Sequence, residues 1–100
     1  MSSIARLSDI GVGQCCDGSH NGCIQMTGFI ITSGQTMEVE NSLVARIGDI
    51  VMGSCGHTGI IVTGSPYLIL EDQGVARIGD QFSGTFSGTI VTGANSYEVD

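Results

Sequence analysis

Short apolar runs separated by turn residues are the dominant pattern of this chain, and they predict β-strands. The segments 60–63 and 67–70 are two such runs, and the Gly-Ser-Pro between them is typical of a hairpin turn. In the segment 37–40, apolar and acidic residues alternate, which predicts a strand with one solvated face. No segment has a sustained apolar period of 3.6 residues. The pattern therefore predicts an all-β chain with minimal helix.

A hexapeptide that ends in aspartate recurs three times and contains every arginine of the chain. It reads Ile-Ala-Arg-Leu-Ser-Asp at 4–9 and Val-Ala-Arg-Ile-Gly-Asp at both 44–49 and 75–80. The last two copies lie 31 residues apart, and their similarity extends back to Gly28 and Gly59. The segment 59–64 is repeated in turn at 88–93. The chain therefore consists of three related units.

The two ends of the chain complement each other. Hairpins are predicted at 28–40, 59–71 and 88–100, but the third has no hexapeptide after it and the first hexapeptide has no hairpin before it. We therefore predict one domain over residues 1–100, with repeats at approximately 10–49, 50–80 and 81–100, the last closed by 1–9. The predicted fold is all-β, a closed pseudo-threefold ring in which both termini meet in one copy.

Every cysteine and histidine precedes a predicted hairpin, in segments interpreted as loops at 10–27 and 50–58; the third such segment, 81–87, has neither residue. A threefold ring would bring these loops together at one end. Zinc prefers four tetrahedral nitrogen and sulfur ligands, and iron is the alternative in the same ligand set. We predict one ion per chain, held by Cys16, His20, Cys55 and His57, with Cys15 and Cys23 as alternatives to Cys16.

Other interpretations of these residues stay open. The cysteines are compatible with free, packed thiols or with disulfides in a protein that works outside cells. A cysteine–histidine pair also suits a thiol enzyme, but that chemistry needs an orienting group and a cleft. The arginine and aspartate of each hexapeptide either pair to hold the corners of the ring, which we favour, or present a polar surface to a partner.

The composition narrows the choice of function. The 100 residues carry ten acidic and three basic side chains, with a net charge of −7 and no lysine. Nucleic acids and anionic membranes attract clustered cations, so neither is expected as a partner. No apolar stretch approaches the ~20 residues that span a bilayer, and no secretory signal is expected. A core with only five aromatic residues is thin, and domains of this size often recruit a metal or disulfides.

With these motifs the chain resembles the PAAR-repeat family. The resemblance rests on Val-Ala-Arg-Ile-Gly-Asp, on Cys-Gly-His-Thr-Gly at 55–59 and on Ile-Val-Thr-Gly-Ser-Pro at 61–66. It implies a small β cone with a zinc ion near its apex, which caps a trimeric β-helical spike. The chain departs from the family in its hexapeptides, which lack the Pro-Ala-Ala-Arg form, and at Phe86, where the family has a histidine. An extra cysteine of the first loop would replace that histidine as a ligand.

The resemblance implies a non-enzymatic structural protein. It would be a monomer on its own, bind one trimeric spike per monomer and sharpen the spike for piercing a cell envelope. Because no toxin domain is expected at either end, the contractile tail of a phage, and thus the virion, is the predicted location. The alternatives are the tip of a bacterial type VI secretion spike, made in the cytoplasm and secreted with it, or an independent metal-binding module.

Overall fold

A closed six-stranded antiparallel barrel forms the body of the molecule. The computed structural model describes residues 2–16, 22–95 and 97–99. The barrel strands run in the order β10-β11-β2-β3-β6-β7. They are β2 (Ile10–Cys15), β3 (Ile24–Ile30), β6 (Ile50–Gly53), β7 (Thr58–Ile61), β10 (Gln81–Gly84) and β11 (Phe86–Ile90). No helix occurs among the described residues, which confirms the all-β prediction.

Three two-stranded antiparallel sheets complete the fold at one end of the barrel. They pair β1 (Ser2–Ser3) with β12 (Glu98–Val99), β4 (Glu38–Val39) with β5 (Ser42–Leu43), and β8 (Ile69–Leu70) with β9 (Gln73–Gly74). The chain ends thus meet in one sheet, where Ser2 lies opposite Val99. Among the described residues there is no helix of the length and hydropathy needed to cross a membrane.

The predicted hairpin pairing at 28–40, 59–71 and 88–100 is wrong. β3 pairs with β2 and β6, whereas β4 pairs with β5. The segments interpreted as loops at 10–27, 50–58 and 81–87 each contain a barrel strand. Glycine is depleted in strands, so Gly11 and Gly13 concealed the strand pattern of β2. In the barrel, a Cβ atom on Gly13 would overlap the backbone of Ser87, which shows why the strands need glycine there.

The three hexapeptides meet in a cycle of backbone hydrogen bonds. The amide of Ala5 donates to the carbonyl of Ala76 (2.9 Å), that of Ala76 to Ala45 (2.9 Å) and that of Ala45 to Ala5 (3.1 Å). All three alanines are fully buried. Small side chains are needed here because three chain segments converge at one point. The cycle gives the three copies equivalent positions around a common centre.

The apolar core has two parts, one on each side of this cycle. The first fills the barrel and contains Ile30, Val51, Ile61, Phe82, Phe86 and Ile90 with the three alanines. The second lies under the three small sheets and contains Ile4, Val39, Val44, Leu70, Val75 and Ala94. We call the end of the molecule formed by the three small sheets the base. The remaining end of the barrel is called the apex.

An arginine–aspartate pair fixes the turn within each hexapeptide, at residues 7–8, 47–48 and 78–79. The Asp49 carboxylate accepts hydrogen bonds from the backbone amide of Arg46 (2.8 Å) and from its Nε (3.2 Å) and Nη2 (3.3 Å). It also accepts one from the Thr32 hydroxyl (2.8 Å), which lies 17 residues earlier in the same unit. Asp9 and Asp80 make the same bonds, with Thr92 and Thr63 in the place of Thr32. This geometry agrees with the structural role favoured from the sequence.

Glu71 joins two units at the base. Its carboxylate accepts hydrogen bonds from the backbone amide of Gln35 (2.7 Å) and the hydroxyl of Thr36 (2.9 Å), and it pairs with Nη1 of Arg46 at 2.9 Å. The amide of Gln35, then the hydroxyl of Thr36 and the charge of Arg46, hold the pKa of Glu71 below its usual value against the effect of desolvation. The charged form is therefore favoured by the fold.

The Glu71 contacts should make stability depend on pH. Because folding lowers this pKa, the contribution is complete above the unfolded-state value of about 4.3 and is lost as the pH falls through the folded-state value. We expect Glu71→Gln to lower the melting temperature at pH 7 and to have a diminishing effect as the pH falls from about 5 to 3. Melting curves across this range measure it, with Glu38→Gln as the control for loss of one exposed charge. An equal effect of Glu71→Gln at all pH values would contradict this expectation.

Candidate metal centre

Two cysteines and a histidine converge at the apex, at the opposite end of β2 from Asp9 and the base. Cys15 is the last residue of β2, and Cys55 and His57 lie in the turn between β6 and β7. Their ligand atoms all lie within 4.8 Å of one another. Cys15 is buried, His57 is half-buried and Cys55 lies at the surface. This group is the candidate metal centre.

The alternation of β2 aims Cys15 into the barrel. Along this strand Gly11 and Cys15 are buried, whereas Val12 and Gln14 are exposed. Because side chains alternate between the two faces of a strand, the adjacent Cys16 points away from the interior and is exposed. Only the first of the two consecutive cysteines can therefore reach the centre.

A tight turn brings Cys55 and His57 together. The amide of Gly53 donates to the carbonyl of His57 (2.8 Å), and the amide of Gly56 donates to that of Gly53 (2.9 Å). Gly56 has φ of 90°, a conformation that side-chain-bearing residues rarely adopt. The glycine between the two ligands is thus required by the backbone, and it lets both side chains point to the same side.

The three donor atoms form a nearly equilateral triangle. The Cys15 and Cys55 sulfurs are 3.1 Å apart, and Nδ1 of His57 lies 3.1 Å from the first and 3.3 Å from the second. A tetrahedral zinc ion with ordinary bond lengths needs edges of about 3.6–3.8 Å between such donors. The triangle therefore has to open by about half an ångström to accept the ion. Two thiols and one imidazole are suitable donors, so the group could hold a metal ion in this way.

Phe86 closes the centre on the barrel side. It lies opposite Cys15 on the neighbouring strand β11 and is fully buried. Its ring packs against Phe82, with 4.8 Å between the ring centroids. The sequence marked Phe86 as the residue in the place of a third-loop histidine. In the structure it contributes an apolar floor beneath the ligands rather than a ligand.

The surroundings of Cys55 favour its thiolate form. Desolvation raises the pKa of this thiol, but the hydrogen bonds with Cys15 and with the backbone and side chain of His57 together outweigh this effect and lower the pKa. The charge of the imidazole acts in the same direction. The pKa of Cys55 is therefore below its usual value. Since thiolates are the form that binds metals, the arrangement assists coordination.

The structure joins Cys16 to Cys23 in a disulfide. A disulfide sulfur has no thiolate to offer, so the sequence-based prediction of Cys16 as a ligand is corrected to Cys15, which is one of the two alternatives given above. The alternation of buried residues in β2 would have been the signal for this choice. Cys55 and His57, both predicted as ligands, lie together as described. His20, the fourth predicted ligand, lies outside the described residues and stays a prediction.

An open groove of about 630 Å³ runs along the outer wall of the barrel. Its lining comes from β2, β3 and β11 and includes Gln14, Gln25 and Thr27. None of its lining residues is a cysteine, a histidine or a charged residue. The groove therefore shares no residue with the candidate centre and lacks the groups that serve as nucleophile or general base in a thiol enzyme.

Comparison with protein-family models gives no match to this chain, and comparison with curated proteins gives none either.

Proposed function

We propose that this protein is a PAAR-like, cone-shaped tip that caps a trimeric β-helical spike and carries one metal ion at its apex. The observation on which the proposal depends is the hydrogen-bond cycle of Ala5, Ala45 and Ala76. A single chain whose three units surround a common centre has the symmetry needed to match the end of a trimer. Neither catalysis nor nucleic-acid binding is part of the proposed role.

Strand edges at the base support the docking mode. Each of the small sheets has two strands, so β4, β8 and β12 each have one edge that no other described strand covers. The three chains at the end of a trimeric β-helix likewise expose unpaired strand edges, which favour pairing with added strands. Three equivalent edges on the base suit one contact with each chain of the spike. One monomer per trimer follows.

The charge of the base indicates what its partner carries. All three arginines are engaged in ion pairs with aspartates of their own hexapeptides. Glu38 and Glu98, on strands β4 and β12, are exposed, and Asp72 is exposed in the turn after β8. The base therefore has exposed negative charge with no unpaired arginine to offset it. We expect lysine or arginine side chains at the end of the spike that it covers.

The proportions of the molecule suit an elongated tip. Its extents are 39 × 24 × 22 Å, one long axis and two short ones of nearly equal length. The base and the candidate metal centre lie at opposite ends of the barrel strands. Metal coordination restrains the ligands and the segments that carry them. A rigid apex is what a tip that pierces a cell envelope requires.

The docking proposal is tested by mixing the protein with the C-terminal β-helical fragment of the trimeric spike from the same source. Mass measurement in solution should show one tip per three spike chains. Ile69→Asp, on β8 at the base, should abolish the complex, whereas Ile60→Asp, on the barrel wall, should leave it intact. The two isoleucines are similarly exposed, 55% and 50%. A three-to-three complex, or no complex with the wild-type protein, would refute the proposal.

We propose zinc as the metal, with iron as the alternative, and His20 as the ligand that completes the tetrahedron. His20 is four residues from Cys16 and three from Cys23. Cys16 is joined to Cys23 by the disulfide and follows Cys15 directly in the chain, so chain length limits how far His20 can be from the centre. The ion would fix the positions of Cys55 and His57. Elemental analysis by X-ray fluorescence should find one zinc or iron per chain.

Cysteine substitutions distinguish the sulfur that binds zinc from the two sulfurs of the disulfide. Cys15→Ser should lower zinc affinity by more than about 100-fold, because even partners outside the first coordination shell contribute 10–100-fold. The double variant Cys16→Ser/Cys23→Ser should retain one zinc per chain, since neither sulfur is a ligand. Competition with a chromogenic chelator measures both affinities. Loss of zinc from the double variant together with retention in Cys15→Ser would contradict the assignment.

The tail tip of a contractile phage, and hence the virion, is the location that we propose. A type VI secretion tip has the same symmetry requirement, and the mixing experiment with spikes of both kinds discriminates between them. An independent metal-binding module would bind neither spike. It would instead release and rebind its metal without any change in oligomeric state.

A further inference from the structure

The two thiols of the candidate centre differ sharply in access to solvent. Cys15 is fully buried, whereas Cys55 lies at the surface. Their sulfurs are 3.1 Å apart, and a disulfide bond requires about 2.05 Å. A movement of about 1 Å would therefore join them. Neither belongs to the disulfide already present, which links Cys16 and Cys23.

We infer that Cys55 is a thiol–disulfide exchange site and that Cys15 is its resolving partner. In the first step the Cys55 thiolate attacks a small-molecule disulfide such as oxidised glutathione. A mixed disulfide forms on Cys55 and one glutathione thiolate leaves. In the second step the Cys15 thiolate attacks the Cys55 sulfur, which forms the Cys15–Cys55 disulfide and releases the second glutathione thiolate. The protein loses two electrons and two protons, and oxidised glutathione is reduced to two thiols.

Access determines the order of these steps. A small disulfide can reach the exposed sulfur of Cys55, whereas Cys15 is fully buried among the described residues. Cys15, in contrast, is already next to Cys55 and needs no diffusion. The mixed disulfide should therefore be short-lived in the wild-type protein. It should accumulate only when the resolving thiol is missing.

Metal binding and this oxidation exclude each other, because a coordinated sulfur must be a thiolate and a disulfide sulfur cannot be one. A bound ion would protect both cysteines, and oxidation would remove two of its ligands. This part of the inference rests on the metal centre of the proposed function. The exchange reaction itself does not. The apex would accordingly be metal-bound in reducing surroundings and prone to a second disulfide where the ion is lost.

The experiment follows the mass of the metal-free protein during incubation with oxidised glutathione. Wild-type protein should lose about 2 Da and yield a peptide pair linked through Cys15 and Cys55. Cys15→Ser should gain about 305 Da on Cys55, the mass of one attached glutathione. Cys55→Ser should remain unmodified, because its remaining thiol is inaccessible. Circular dichroism of each variant identifies any variant that has failed to fold. Cys15→Ala provides a second variant that lacks the resolving thiol.

The results separate the two ideas. A stable glutathione adduct on wild-type Cys55, or modification of Cys15 in folded Cys55→Ser, would overturn the exchange inference. Preloading with zinc should slow the reaction at least about tenfold. If the linked peptide forms equally fast with and without zinc, the exchange inference stands and the proposed metal centre fails. If zinc binds but the metal-free protein never forms the linked peptide, the proposed metal centre stands and the exchange inference fails.

Discussion

Replacement of Asp49 by alanine is expected to lower the free energy of unfolding by about 3 kcal/mol or more, because a buried carboxylate that accepts four hydrogen bonds is lost, and hydrogen bonds to charged groups contribute about 1.5–3 kcal/mol each. Asp49 is 3% exposed and accepts hydrogen bonds from Arg46 and from Thr32, which lies 17 residues earlier in the same unit. Without the carboxylate, the Thr32 hydroxyl and the backbone amide and Nε of Arg46 lose their acceptor, and the guanidinium keeps its contact with Glu71. Because a domain of this size has a total stability of only about 5–15 kcal/mol, the melting temperature should fall by more than about 12 °C. Thermal or urea denaturation measures the loss.

Controls for this substitution come from the repeats. Asp9→Ala and Asp80→Ala remove equivalent carboxylates and should cost similar amounts, because their hydrogen bonds are the same in type. Glu38→Ala removes an exposed acid of the base and should change stability by less than about 0.5 kcal/mol. In the double variant Asp49→Leu/Arg46→Met both charges of the pair are absent, so part of the loss should be recovered. A loss below about 1 kcal/mol in Asp49→Ala would contradict the structural role of the pair.

Replacement of Phe86 by alanine is expected to cost about 3–5 kcal/mol, as for other fully buried phenylalanines. The ring fills the barrel next to Phe82 and lies beneath the candidate metal centre. Its removal leaves a cavity that β-strands closed in a barrel cannot readily fill. Cys15 is the cross-strand neighbour of Phe86, so zinc affinity should fall as well. Denaturation and chelator competition on the same protein measure the two effects.

Phe29 is the matched control for Phe86. It lies on barrel strand β3, but its side chain points to solvent and is 55% exposed. Phe29→Ala should therefore change stability by less than about 1 kcal/mol and leave zinc affinity unchanged. Phe86→Leu should retain most of the stability, since an apolar side chain remains in the site. Equal losses for Phe29→Ala and Phe86→Ala would contradict the assignment of the barrel core.

The candidate centre was only partly accessible from the sequence. Cys55 and His57 could be identified because a glycine separates them in a short segment between predicted strands. The choice among Cys15, Cys16 and Cys23 could not be made, because the segment 10–15 was interpreted as a loop. Once it is known to be a strand, its alternation selects Cys15 and leaves Cys16 outside, where it pairs with Cys23. The error in the ligand thus came from the error in the secondary structure.

The repeats and the short apolar runs together determined that three related units exist, that the fold is all-β and that the two ends of the chain complement each other. Recurrent identities and β-branched runs are local properties, and they can be read without coordinates. Strand pairing and the faces of β2 were decided only by the tertiary structure. Register and burial depend on contacts between residues far apart in the chain, such as Cys15 with Phe86 and Ala5 with Ala45 and Ala76. A glycine-rich strand has almost no local signal, because its stability comes from neighbouring backbones that approach closely rather than from its own side chains.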